Sequence, residues 1–448
     1  MQTLRSGVLI FIENTPRAYA WGSTDALPEM LGTTPTGQPQ AELWLGTHPG
    51  SPAQIAKATP APHSVIDLVE ADPDRYGVDG GPLPFLLKVL AIGAPLSLQV
   101  HPNRAQAAAG FAAEEAAGVP RDARERNYGD ANHKPELLVA LSEVSALSGF
   151  RPLVAARDDL ERYARAANEV PDPAGVAALR AVAEKLCPGE SAATEAEVRS
   201  YFLSWVFSDD PSVAGALAAL SRLADAVAPG KPGVSPAEDR DLAMRALIAT
   251  HPGDPGVLVS LLLHHVRLQP GESIYLGARQ LHAYLGGIAV EVMAASDNVL
   301  RAGLTEKHVD IEELTRILDP EELGDPRLAP SQLALGLDAW QPDIDDFQLV
   351  RARVCDPDDD VGLPECHERA GRRVLIAVPQ PAVIVVTRGR LRIERLDGGV
   401  EEGLAEVASA RRGQSLYVSA GGFIEVTGHG ELFLATVGGV DLQVPQVS

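Results

Sequence analysis

The spacing of hydrophobic positions changes character several times along the chain. Residues 85–90 (FLLKVL) and 95–100 (PLSLQV) are short apolar runs between Gly and Pro, and they predict strands. Residues 104–118 (RAQAAAGFAAEEAAG) predict one helix, with Asn103 as its N-cap. From about residue 153 to 250 the texture is Ala-, Leu-, Glu- and Arg-rich, and apolar residues recur at spacings of three and four. That period predicts an all-helical segment. Strand texture returns over about 255–305, and Asp310–Leu318 again has helical spacing. The last stretch holds RRVLIAVP, PAVIVVTRGRLRIERL, GQSLYVSA, GFIEVTG and ELFLATVG, divided by Gly turns. Such short, evenly spaced runs predict a small antiparallel sandwich or barrel. The pattern as a whole is mainly β, with an all-α insertion in the first β portion.

Side chains alternate between the faces of a strand. Ser97, Gln99 and His101 therefore share one face, backed by Leu96, Leu98 and Val100 on the other. Three polar groups on one face fit the lining of a cavity; a half-exposed strand gives the same alternation. Glu136 follows Asn132-His133-Lys134-Pro135 at the mouth of an apolar run, LLVAL, either as an inward carboxylate or as a surface charge. His282 and Tyr284 share a face if extended, and a lone His in an apolar run is most often a core residue. Taken together, Gln99, His101, Glu136 and His282 supply two imidazoles, a carboxylate and an amide oxygen. That donor set suits Zn with an open position for water or substrate.

Composition narrows the classes. The chain has 448 residues, enough for about three domains. Apolar residues make up 45% and charged residues 22%, which is ordinary for a globular protein. Acids outnumber bases 61 to 38, for a net charge of -23. Nucleic acids and anionic membranes bind basic faces, so neither is an expected partner. Cys187, Cys355 and Cys366 are odd in number and widely spaced, without a CxxC pair; reduced thiols in a cytoplasm are the expectation. No uncharged apolar run reaches the ~18 residues of a membrane span, and the N-terminus lacks a signal-peptide core.

At these residues the chain resembles the type I phosphomannose isomerases, zinc enzymes of the cupin superfamily. The resemblance is carried by YAWGS (19–23), ELW (42–44) with Gly46 and His48-Pro49, LPFLLKVL, APLSLQVHPN, NHKPELLVAL, GFRPL, and HAYLGGIAVEVMAASDNVLRAGLTEKHVD (282–310). These stretches run in family order over residues 19 to about 318. The resemblance implies cupin-like β jelly rolls, a catalytic N-terminal one and a smaller C-terminal one, plus a helical domain. The implied division is residues 1–152 with 251–324 as the catalytic domain, 153–250 as the helical insertion and 325–448 as the C-terminal β domain.

The resemblance also implies one Zn per chain on Gln99, His101, Glu136 and His282, and a catalytic arginine at Arg301. Lys88, Lys134, Glu291, Asp297 and Lys307 match positions lining the family's pocket; Ser97, Tyr284 and Trp21 complete the substrate-binding candidates. Leu281 departs from the Pro that relatives carry before the metal His. The implied reaction moves a proton between C2 and C1 of a phosphorylated hexose through a cis-enediol(ate), interconverting mannose 6-phosphate and fructose 6-phosphate. A guanidinium stays protonated, so Arg301 would act by charge and orientation. Lys134, Asp297 and Glu291 remain open as the proton carrier. Lys88, Lys134, Arg301 and Lys307 would form a small basic pocket in an acidic body. Two other classes compete: a cupin-type metal dioxygenase, whose HxH pair is absent here, and a non-catalytic sugar-binding protein. The expected partner is a small phosphorylated hexose, and the expected state a cytoplasmic monomer or weak homo-oligomer.

Overall fold

The computed structural model describes residues 7–56, 63–169, 172–187, 193–226, 233–355, 369–396 and 406–442. Among these residues the strands form two antiparallel sheets, of nine and ten strands. The first is organised around the long strand His282–Ala294. The early part of that strand pairs with Gln99–Val100 and Val144–Phe150; the later part pairs with Phe85–Ile92 and Glu136–Ala140. The register shifts between Tyr284 and Gly286, and Gly287 takes φ +113°. A Cβ at Gly287 would lie 2.4 Å from the Glu143 carbonyl oxygen, so this bend requires glycine.

The FLLKVL run is the strand Phe85–Ile92, buried along its entire length. A strand covered on both faces reads as continuous apolar sequence, with Lys88 the exception. The expected 95–100 strand is shorter, Gln99–Val100. Upstream of it, Leu96 and Leu98 donate singly to the Tyr284 and Gly303 carbonyls rather than joining a ladder. The 104–118 helix is Arg104–Ala117; Asn103 and Gln106 form its capping box, and Gly118 closes it in the left-handed conformation.

The helical block consists of Leu153–Glu169, Pro173–Lys185, Glu195–Val206, Pro211–Ala226 and Pro236–Thr250. Its Leu160, Phe202 and Leu247 share one core with Leu98, Val100 and Phe150. The block therefore covers the apolar back of the strand whose front carries Gln99 and leads into His101. The last helix, Ile311–Ile317, is capped by Asp310.

The second sheet runs Ser331–Ala334, Leu337–Trp340, Gln348–Val354, Phe423–Thr436, Ala382–Arg395, Ser415–Val418, Leu9–Glu13, Gln54–Ile55. Two flanking strands join it: Val374–Ala377 pairs with Phe423–Thr436, and Val407–Arg411 with Ala382–Arg395. GFIEVTG and ELFLATVG, read separately from sequence, form one strand. Residues 9–13 and 54–55, grouped from sequence with the catalytic portion, hydrogen-bond within this second sheet. Its Val383, Tyr417 and Phe433 pack on Leu87, Val89 and Val290 of the first sheet.

Cys187 is an exposed free thiol, as expected. Cys355 is disulfide-bonded, which corrects the expectation of a reduced thiol there; Cys366 lies outside the described residues. No helix of the described residues is long and apolar enough to cross a membrane.

Candidate metal centre

Four strands deliver the polar cluster: Gln99–Val100, His282–Ala294, Leu300–Arg301 and Glu136–Ala140. Gln99 stands opposite His282 on one side and Arg301 on the other. His101 follows the Gln99–Val100 strand directly, and Glu136 opens the strand Glu136–Ala140 opposite Met293. The ligating atoms of His101, Glu136 and His282 lie within 4.8 Å of one another, and all three residues are buried. His101 Nε2 is 3.3 Å from Glu136 Oε1, and His282 Nε2 is 3.5 Å from Oε2.

Each imidazole is oriented from behind. His101 Nδ1 lies 2.7 Å from the Asn298 carbonyl, and His282 Nδ1 lies 3.0 Å from the Gln280 carbonyl. A carbonyl can only accept, so both Nδ1 atoms carry a proton, which leaves the two Nε2 atoms, both turned to Glu136, as the positions able to bind a metal. Burial, reinforced by the Lys134 charge, lowers the His101 pKa to about 4 and keeps that ring neutral near pH 7. Its buried Nε2 has no hydrogen-bond partner. An orphaned lone pair aimed at a carboxylate fits a metal ligand. Burial raises the Glu136 pKa, but the Lys134 charge beside it more than reverses this and holds the carboxyl ionised. Gln99 Nε2 donates to Ser97 Oγ at 3.4 Å, so Ser97 steadies the amide. The donor set of two imidazoles, a carboxylate and a neighbouring amide fits zinc.

Around this core the other candidates divide. Lys134 Nζ donates to Glu136 Oε1 at 2.6 Å. Tyr284 Oη lies 3.2 Å from Glu136 Oε2 and 3.0 Å from Glu291 Oε1, and burial with these carboxylates raises its pKa, keeping it a neutral donor. Lys88 is 6% exposed, with Nζ 3.3 Å from Glu291 and 3.6 Å from Glu42 and lying over the Trp44 ring. Burial lowers its pKa, but Glu42 and Glu291 more than reverse this, so its charge is held internally. Lys88 was expected in a small basic pocket; its ammonium is paired here with Glu291 and Glu42. Arg301 and Lys307, by contrast, have no carboxylate partner among the described residues. Burial lowers the Arg301 pKa, and the Arg301 charge lowers that of Lys307, which puts the two cations within electrostatic reach of each other.

Asp297 is 62% exposed at its side chain and lies 3.3 Å from His48 Nε2, within electrostatic reach of Lys134 and Lys88. Its hydrogen bond to His48 holds its pKa down. Trp21 stacks on Tyr19 at 5.9 Å and packs against the core that holds Tyr284. Leu281, in place of the family's Pro, is buried in the helix-facing core, and its carbonyl accepts from Gly149; His282 keeps its register.

Sequence reasoning assigned no role to Asn298, Asp130, Glu42 or Trp44. Asn298 is fully buried; its amide donates to the Asp130 and Asn132 carbonyls and accepts from Gly129. It thereby ties the His101-orienting loop to the segment leading into Glu136. The signal was present in SDN and ELW, which carry polar residues inside otherwise apolar surroundings.

An antiparallel β fold with an inward His, His, carboxylate and amide set defines a cupin-type metalloprotein. A family model for the phosphomannose isomerase type I catalytic domain matches residues 9–153. The mannose-6-phosphate isomerase of Salmonella typhimurium is 38% identical over 361 residues, covering 75% of this chain and 81% of that protein. The enzyme of the same name from Escherichia coli is 34% identical over 446 residues, covering 94% and 97%. A zinc-bound crystal structure of mannose 6-phosphate isomerase superposes with a TM-score of 0.78 at 31% identity, covering 96% of this chain and 100% of that one. The chain belongs to the type I phosphomannose isomerase family.

Proposed function

We propose that this chain interconverts mannose 6-phosphate and fructose 6-phosphate, with zinc held by Gln99, His101, Glu136 and His282. The observation that carries the reading is the pair of Nδ1-anchored imidazoles whose Nε2 lone pairs converge on buried Glu136, with the unpaired Arg301 across the strand from Gln99. Bound zinc supplies Lewis-acid stabilisation of negative charge on the O1/O2 edge of the open-chain sugar.

The remaining chemistry belongs to side chains. Arg301 offers a fixed cation to the oxygens that gain charge as the C2 proton leaves. Lys307, close to Arg301 and exposed, offers a second cation to the phosphate. Of the three proton-carrier candidates, Glu291 is held by Lys88 and Tyr284, and Asp297 by His48. Lys134 contacts a ligand carboxylate and has no second acceptor among the described residues; we assign it the transfer in its free-amine form, which takes the C2 proton to become the ammonium and returns that proton at C1. The Lys88–Glu291–Tyr284 chain positions Glu136. The absence of an HxH pair and the presence of these cations favour isomerisation over dioxygenase chemistry or passive sugar binding. The domain division follows the same reading: residues 1–152 with 251–324 carry the chemistry, 153–250 buttress it, and 325–448 pack behind it. Formation of fructose 6-phosphate from mannose 6-phosphate by the zinc-loaded chain tests the proposal; no product with zinc bound refutes it.

A further inference from the structure

A second concave site lies between the two sheets. It is a cavity of about 950 Å³ with a floor of Met30, Leu31, Ile92, Leu141 and Ile288 and a wall of Arg388, Arg390, Arg411 and Arg412. One carboxylate, Glu29, stands among the lining residues. Pockets of this volume hold molecules of nucleotide size.

The arginines are unusual in this protein. Acids outnumber bases by 23, yet none of the four has a carboxylate partner among the described residues. Neighbouring arginines on the same sheet are paired, Arg392 with Glu394 and Arg373 with Glu425. Moreover, Arg390 and Arg411 stand directly opposite each other in register. Like charges in that position repel and weaken the strand pair. A protein with surplus acids and an uncompensated cationic pair has the electrostatics of an anion receptor.

The backbone builds this arrangement. The register slips between Val386 and Arg388, and Gly389 follows with φ +69°, where a Cβ would come within 1.9 Å of the His429 carbonyl oxygen. A bulge of this kind re-aims its flanking side chains. Arg412 N donates to the Gly389 carbonyl and Gly413 N to the Val386 carbonyl, which locks the Arg411–Gln414 turn against the bulge. At Gly413 a Cβ would sit 2.7 Å from Leu31 Cα, so the turn also abuts the opposite wall. The backbone that carries the four exposed arginines is thus held beside the apolar residues of the same cavity.

We propose that this cavity binds a pyrophosphate ester of nucleotide size, its adjacent phosphates on Arg388, Arg390, Arg411 and Arg412 and its organic body on the apolar floor. The site is separate from the metal centre. Its floor residues Ile92 and Ile288 nevertheless lie on the strands that carry Lys88 and Glu291.

The test is calorimetric titration of the zinc-loaded full chain, saturated with mannose 6-phosphate, with ADP, GDP, UDP and inorganic pyrophosphate in turn. The expected result is one equivalent of at least one of the nucleotides, bound more tightly than pyrophosphate and more weakly as salt rises. Arg390→Ala combined with Arg411→Ala should weaken that binding tenfold or more, while Arg392→Ala, the paired neighbour, leaves it unchanged. Isomerase kcat without nucleotide should be the same in all three proteins. Removing opposed like charges should not lower the melting temperature of the double variant, and Arg388→Ala provides an independent second substitution. Binding of none of the four probes, binding abolished by mannose 6-phosphate, or binding indifferent to these substitutions overturns the proposal.

Discussion

Lys88 and Glu291 stand opposite each other in register on adjacent strands, with ammonium and carboxylate 3.3 Å apart and both residues buried. Removing one partner of such a pair leaves an uncompensated buried charge, typically costing about 3–5 kcal/mol. Lys88→Ala should therefore lower the unfolding midpoint markedly. Replacing both partners, Lys88→Met with Glu291→Leu, should recover part of that stability. Denaturant titration of the three proteins checks the order; an unchanged midpoint for Lys88→Ala would return Lys88 to the role of a substrate-facing cation.

The metal set makes a compositional prediction. The chain as isolated should contain about one zinc, as a single four-donor site requires. A strong chelator should abolish isomerisation and zinc should restore it. His282→Ala should lose metal and activity together, read by elemental analysis beside the assay. Full turnover by metal-free protein would sink the assignment.

Asn298 allows a subtler test, because it touches the carbonyl-bearing loop rather than the metal. Residues that orient metal ligands typically contribute 10–100-fold in metal affinity or activity. Asn298→Ala should weaken zinc binding by about that factor, measured by competition with a chelating dye, and excess zinc should restore activity. Unchanged affinity would mean that the loop is held without it.

Arg301→Ala separates charge stabilisation from metal binding. Zinc content and melting temperature should stay near those of the parent. Loss of one preorganised donor should cut kcat by about 10²–10³. An increase in KM alone would make Arg301 a phosphate anchor instead.

The helical block makes a pH prediction. Asp159 accepts from Arg151 and Arg240 at 2.5 and 2.9 Å and from Arg162 at 3.1 Å. Burial pushes its pKa up, but Arg151 and Arg240 more than reverse this, and the folded value lies below 3.8. A depressed carboxylate stabilises the fold fully above its unfolded pKa and less as pH falls through the folded one. Melting temperature should therefore fall below about pH 4, and Asp159→Asn should remove that part of the slope while lowering stability at pH 7 by about 3 kcal/mol. Identical pH profiles for the two proteins would contradict this.

What the sequence made legible follows from locality. The Asn103 cap, the helical character of 153–250 and the strands around Lys88 and Glu136 are set by short-range period and end signals, and these were read. The ligand set was read because four chemically matched residues sat in recognisable stretches, although spacing alone could not bring His101 and His282 within one sphere. Gln348–Val354 was missed because Arg351 and Arg353 make it look polar; both arginines are in fact buried against Asp338. Phe423–Thr436 was cut in two because Gly428 and Gly430 read as a turn, whereas they stand in register opposite Leu391 and Gly389 of the next strand. The internal pairing of Lys88 depends on Glu42 and Glu291, one from each adjacent strand, and no pattern within a single segment shows it.

The strand Leu9–Glu13 lies between Gln54–Ile55 and Ser415–Val418. During synthesis it leaves the ribosome well before its neighbour at 415–418, which is about 400 residues away. At roughly 5–20 residues per second, that is a wait on the order of 20–80 s. The first sheet and its helical block can condense in that interval; the second sheet cannot close until residues 415–436 have emerged. An exposed apolar edge of Leu9, Ile10, Phe11 and Ile12 must therefore be shielded for most of a minute, which makes the nascent chain a natural client for chaperones that bind extended hydrophobic segments.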